Sequence, residues 1–201
     1  ADMAAKGDVA VTANTQADFA AFAAAAAGGG SVALAGGVGV ISVTDTTSAS
    51  LGGTTVAGGN VQVLADDQTR VATMDGSVSV GLGVAGVGGA IGVLSVTKTT
   101  TADILDSAEV TALGNGGRTF DAYTGTAPTG ADDVMTHTTA VRGINVAASS
   151  GESNLTIAAS ASGGLYAGIS GVVTVQLHDV TTSAKIGDNA QINQDASQAG
   201  A

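Results

Sequence analysis

Gly-Asn-Val-Gln-Val-Leu-Ala at residues 59–65 restates Gly-Asp-Val-Ala-Val-Thr-Ala of residues 7–13, and the phrase returns as Gly-Ile-Asn-Val-Ala-Ala at 143–148. A second echo follows each copy: Ser-Ala-Ser-Leu-Gly at 48–52, Thr-Ala-Asp-Ile-Leu at 101–105 and Ser-Ala-Lys-Ile-Gly at 183–187. The separations agree, since Val9 to Leu51 is 42 residues, Val61 to Ile104 is 43 and Ile144 to Ile186 is 42. One unit is therefore written three times. Repetition of this kind marks a stacked architecture in which each unit buries its apolar face against its neighbours. Within the opening phrase the apolar residues alternate (Val9, Val11, Ala13; Val61, Val63, Ala65; Ile144, Val146, Ala148), and period two is the pattern of a half-buried strand.

Composition supports strands over helices. The 201 residues are 44% hydrophobic but only 2% aromatic, with 31 Gly, a single proline (Pro128), no Trp and no Cys. An apolar interior must then be assembled from Val, Ala, Leu, Ile and Gly, which suits thin, layered cores better than a globular α/β core with aromatic anchors. Recurrent Gly and Thr disfavour a helical repeat. Seventeen acids against six bases give a formal net charge of −11, a surface that repels phosphate backbones and anionic lipid, so a nucleic-acid partner is not expected. Without cysteine there are no disulfides and no thiolate metal sites. The opening Ala-Asp-Met-Ala-Ala-Lys lacks the signal-peptide pattern, and the expectation is a segment of a larger protein.

The repeats fall at about residues 7–58, 59–112 and 143–195 of a single solenoid segment spanning 1–201. Val9 to Val61 is 52 residues, longer than an ordinary solenoid turn, so two or three coils per repeat, of about 18–26 residues each, are expected. Each unit has a Gly-rich apolar middle (Ser31–Val43, Ser77–Val96, Gly163–Leu177) and a Thr-rich close. A second short strand is expected around Leu51, Ile104 or Ile186, then a third apolar position at Val56, Val110 or Ile192. The closing segments are read as one side of a coil whose Thr, Asp and Lys point outward. Ile104 to Ile186 is 82 residues, which places an insertion at 113–142, a loop expected to protrude from the stack.

Two segments compete with the strand reading. Ser77–Val96 is twenty uncharged residues, long enough for a membrane-spanning helix. Six glycines and the lack of a basic flank argue against one, so membrane insertion is not expected and a run buried on both sides is preferred. Ala17–Ala27 has strong helix propensity, yet its counterpart near Arg70–Gly81 reads as strand, and the repeat is taken to prevail.

The Val-x-Val-x-Ala cadence, the run Gly81–Val96 and the following Thr-Thr-Thr-Ala-Asp-Ile with its trailing Ala-Glu-Val-Thr-Ala resemble the repeat regions of giant bacterial surface adhesins, in particular filamentous-haemagglutinin-like exoproteins and leukotoxin-family filamentous adhesins. The resemblance covers most of the chain except the insertion. It implies an all-β, right-handed parallel β-helix (β-solenoid), export to the bacterial cell surface, and a shaft or adhesive role. The family's secretion-recognition region is not evident in these residues.

Catalytic patterns are sparse. His178 and Asp179 are adjacent, and neighbours on a strand face opposite ways, so they do not form a base and its orienting acid. Asp132, Asp133 and His137 share the insertion without a further ligand set. Asp103, Asp106 and Glu109 cluster at a strand–turn boundary and offer oxygen ligands to Ca²⁺, but the other two units do not repeat them. No Gly-x-Ser-x-Gly turn or phosphate-binding loop occurs. A polysaccharide-cleaving groove would need acids and bases converging from successive coils, and only Arg70, Lys98 and Lys185 are basic within the repeats proper.

The expectation is thus a non-catalytic structural or adhesive segment of an extracellular fibre, with no cofactor. Its partners would be flanking repeats or protomers stacked end to end, and a cell-surface glycan or protein. The alternative is a self-assembling filament protomer. Phe120, Tyr123 and His137 in the insertion are the expected partner contacts, because aromatic rings supply stacking area that the shaft lacks.

Overall fold

The computed structural model describes residues 2–115, 118–124 and 138–194. After β1 (Met3–Ala5), the first coil runs through β2 (Val9–Gly29), β3 (Val32–Leu51) and β4 (Thr54–Ala57). The second runs through β5 (Val61–Gly81), β6 (Ala85–Ile104) and β7 (Glu109–Ala112). The excursion β8 (Phe120–Tyr123) and β9 (Thr138–Val141) follows, then the third coil, β10 (Ile144–Gly164), β11 (Ala167–Ile186) and β12 (Gln191–Ile192). Like strands stack in parallel as β2-β5-β10, β3-β6-β11 and β1-β4-β7-β12. Val9, Val61 and Ile144 are direct partners, and the register runs unbroken to Gly29, Gly81 and Gly164. The chain is a parallel β-solenoid of three repeats, and the alanine run Ala17–Ala27 is strand, held by β5 along its whole length.

Each 52-residue repeat is one coil, not two or three. Its two long sides are strands of 20 or 21 residues, about 70 Å at ~3.3 Å per residue. Short strands were expected because most strands run to about 5–6 residues. Here nothing breaks the alternation before the far turns at Gly30–Ser31, Leu82–Val84 and Leu165–Tyr166. Accordingly Leu51, Ile104 and Ile186 end the second long strand and do not form a separate short one.

Thr55, not Val56, is the partner of Val110 and thus of Ile192. The first coil turns this corner with Gly52–Gly53 where the second spends four residues, Leu105–Ala108; the difference of two keeps the phase, so the inward position that Val110 fills falls on Thr55 and Val56 faces outward. The corner needs a left-handed residue in every coil: Gly53 (φ 81°), Ser107 (φ 58°) and Asn189 (φ 58°).

The apolar core sits at this end of the coil. Val9, Leu51, Val61, Val63, Ile104 and Val110 pack together with Ala57, Ala65 and Ala102 between them. Fully burying each Val, Leu or Ile contributes about 1.5–3 kcal/mol. Corner acids tie one coil to the next: Asp8 Oδ1 accepts the Asn60 backbone N–H at 2.8 Å, and Asp106 Oδ1 accepts that of Asp188 at 2.9 Å. A second, smaller cluster, Val43, Val71, Leu94 and Val96, closes the middle.

Towards the far turn the long sheets approach on small residues. A Cβ on Gly88 would lie 3.2 Å from the Ala161 carbonyl oxygen, and one on Gly37 3.1 Å from that of Gly76. Ser77–Val96 is therefore not buried on both sides. It is a strand–turn–strand whose inward residues are Gly, Ala and Ser, with Leu94 and Val96 at its end, and whose outward Val78, Val80, Val87 and Ile91 meet solvent.

The insertion returns to the stack at its described part. β8 and β9 form an antiparallel hairpin, Phe120 opposite Val141 and Tyr123 opposite Thr138. Asn60 grips both feet, donating to the Arg118 carbonyl (3.0 Å) and accepting the Gly143 N–H (2.8 Å). Asp66 and Ser149 are buried although their strand parity points them outward. Tyr123 is raised above its ordinary value by burial, and secondarily by the charge of Asp66. The hairpin foot thus lies against the outer face of the β2-β5-β10 sheet.

Candidate functional site

The most developed side-chain site lies inside the coil, between the two apolar clusters. Lys98 on β6 reaches across to β5 and β10, where its Nζ is 2.8 Å from Asp67 Oδ1 and 3.0 Å from Glu152 Oε1. The Lys98 and Asp67 side chains are 0% exposed, Glu152 22%. Lys98 Nζ also donates to the carbonyls of Asp67 (3.4 Å) and Gly151 (3.3 Å). Thr47 and Thr69 donate to the Asp67 carboxylate, and Ser150 to Glu152 at 2.7 Å. One ammonium is held by two carboxylates from successive coils. Such a network specifies register, because a slip by one residue would turn each charge to the other face.

Reading the closing segments as an outward row of Thr, Asp and Lys misplaced this lysine. The signal was present: Lys98 shares parity with Leu94, Val96, Ala102 and Ile104, all inward. It went unread because a charge at an interior position is the exception.

A second polar cluster lies nearer the far turn. Thr73 donates to Thr156 (3.0 Å), Gln176 donates to Thr156 (2.6 Å), and Asp75 faces Gly39 and Gly92, leaving a cavity of about 10 Å³. That volume is far below the 300–1,000 Å³ of sites for drug-sized ligands.

Asp103, Asp106 and Glu109 are not brought to one point. Asp106 caps the next corner, Asp103 lies 4.0 Å from Lys185, and among the described residues no group of three His, Cys, Asp or Glu is placed to hold a metal ion. His178 is exposed and lies 3.2 Å from Asn154 Nδ2, while Asp179 faces the opposite way. Phe120 and Tyr123 are half-buried on the hairpin. Asp132, Asp133 and His137 lie outside the described residues.

Tyr123 gives the hairpin a testable titration. Its folded pKa is raised, so the protonated phenol is favoured in the docked state. The stability it contributes is complete below the unfolded value of about 10 and is lost as pH rises through the folded value. In a Tyr166→Phe background, absorbance at 295 nm should report a midpoint above 10, and Asp66→Asn should lower it part of the way. An unshifted midpoint would show that the hairpin foot does not dock.

These features define a class of protein: a parallel β-solenoid with an ion-paired interior. No protein-family model, curated protein or solved structure matches the chain.

Proposed function

We propose that this chain is a structural, non-catalytic segment of an extracellular repetitive adhesin or fibre of a bacterial surface, stacked end to end with further coils. The observation that carries this reading is the pair of open ends. Among the described residues β2 and β3 pair on one side only, as do β10 and β11, so each end presents two strand edges of 20 or 21 residues. Long unpaired edges of uniform register are templates for another strand layer. The resemblance to surface-adhesin repeats agrees with such stacking, and the acidic surface agrees with a hydrated exterior.

Partner contact is assigned to the hairpin insertion, with Phe120, Tyr123 and His137 as the residues to replace first. The alternative, a protomer that polymerises by itself, shares the open edges. The two separate on the mass of the polypeptide in surface extracts: far above that of 201 residues for an adhesin segment, near it for a filament protomer. Retention of the polypeptide inside the cell would overturn both. Deleting Gly114–Val141 should abolish surface binding while leaving the circular-dichroism β signal intact. Undiminished binding would remove the hairpin as the contact.

A further inference from the structure

The charges of this chain are segregated along the coil. Of 17 acidic and 6 basic residues, one alone, Asp75, falls within 19–44, 71–97 or 154–177, the stretches that build the far half of each coil. Asp75 points inward and is buried. Outward on the β2-β5-β10 sheet this half carries Phe22, Met74, Val78, Leu155 and Ile157. Outward on the β3-β6-β11 sheet it carries Leu34, Val38, Val40, Ile91, Ile169 and Val173. The turn itself adds Leu82 (73% exposed), Leu165 and Tyr166 (84% exposed). Inward, the base of this half keeps the Val43, Val71, Leu94 and Val96 cluster with Ile41, and towards the turn the set is Thr73, Asp75, Ser77, Ser79 and a series of Ala and Gly. Towards the turn, then, large apolar side chains face out and small or polar ones face in, the reverse of a soluble solenoid and the alternation of strands that lie in lipid.

We propose that this far half is a blade that inserts into the hydrocarbon of a neutral lipid bilayer, the acidic half remaining in water. Three features select lipid over a second copy of the chain. Both broad faces and the connecting turn are apolar together, whereas docking of one partner sheet covers one face. The uncharged parts of the two long strands in the first coil, 19–29 and 32–44, are 11 and 13 residues, enough for a crossing that takes a strand roughly 9–11 residues through a bilayer core about 30 Å thick. The blade ends at one level on both sheets, with Asp18 and Arg70 outward on one and Asp179 on the other. Tyr166 at the turn would then reach the opposite headgroup layer, where amphipathic rings are favoured. Net charge −11 selects zwitterionic over anionic lipid.

Backbone groups in hydrocarbon must be paired. Coil-to-coil ladders do this within the chain, and further coils must do it at the two open ends, so the proposal rests on the stacking proposed above. Described residues contain no helix long and apolar enough to cross a membrane, which says nothing of strands.

The absence of native cysteine permits a clean test on the full chain. Ile91→Cys, outward at mid-blade, and Thr12→Cys on the acidic half are each labelled with an environment-sensitive dye and mixed with phosphatidylcholine vesicles. Expected are flotation with the vesicles, a blue shift and protection from aqueous iodide for the dye at 91, and neither change at 12. Val38→Arg with Val173→Arg, both on outward faces, should reduce flotation roughly 30-fold or more. Stacking is read separately, by sedimentation without lipid. A dye at 91 that stays open to iodide in the presence of vesicles overturns insertion even if stacks form. Equal shielding without lipid also overturns it, assigning the blade to a second copy. These dye readings stand whether or not the arginine variant folds.

Discussion

Replacing Lys98 by alanine is expected to lower the free energy of unfolding by about 3–5 kcal/mol, because it leaves the Asp67 carboxylate buried without a counter-charge. Asp67 is 0% exposed and retains only two long hydroxyl contacts, at 3.4 Å. Glu152 loses the same cation but is partly exposed, so water takes up much of its loss. Denaturant titration followed by circular dichroism measures the difference. The contrasting variant is the triple replacement Lys98→Met, Asp67→Leu, Glu152→Leu, which removes all three charges. Its stability should match or exceed that of the parent, since an ion pair buried at this depth is costly to desolvate. A mild loss in Lys98→Ala would mean that the interior admits water. A triple variant as unstable as Lys98→Ala would mean that the site contributes packing and not charge compensation.

Gly86→Val is expected to destabilise by about 3 kcal/mol, at the upper end of ordinary overpacking. A Cβ at this position would collide with the carbonyl oxygen of Gly163 and come within 3.1 Å of that of Ser79. Both obstacles are backbone atoms of the facing sheet, so no rotamer change relieves them. The far halves of the sheets would have to separate, releasing the small-residue interface of Gly37, Gly88 and Ala161. Gly171→Val, where a Cβ meets nothing within 4 Å, is the control and should change stability little. Equal effects at the two positions would show that the sheets do not approach as described.

Both experiments concern what the alternation of side chains does once the coil closes. The recurrence of Val9, Val61 and Ile144 at one phase was legible in the sequence and became a direct register in the fold. So did the strand character of Ala17–Ala27, because pairing along the length of β5 overrides the helix propensity of alanine. Coil length was not legible, since it depends on where the chain turns, and the turns at Gly30–Ser31, Leu82–Val84 and Leu165–Tyr166 share no residue pattern. The site around Lys98 was missed because its partners are 31 and 54 residues away in sequence, on other strands.

By itself, the sequence determined that three equivalent stretches exist, that each is extended, and which residues of a strand share a face. Period two states that two faces differ; it does not say which of them is inside. Tertiary structure made that choice, and made it oppositely in the two halves of the coil. Near the corner the Val, Leu and Ile face is enclosed by three sides, whereas towards the far turn two sheets close on Gly, Ala and Ser and turn their Val, Leu and Ile outward. The physical reason is spacing: where backbones approach this closely there is no room for a large side chain between them, whatever its hydrophobicity.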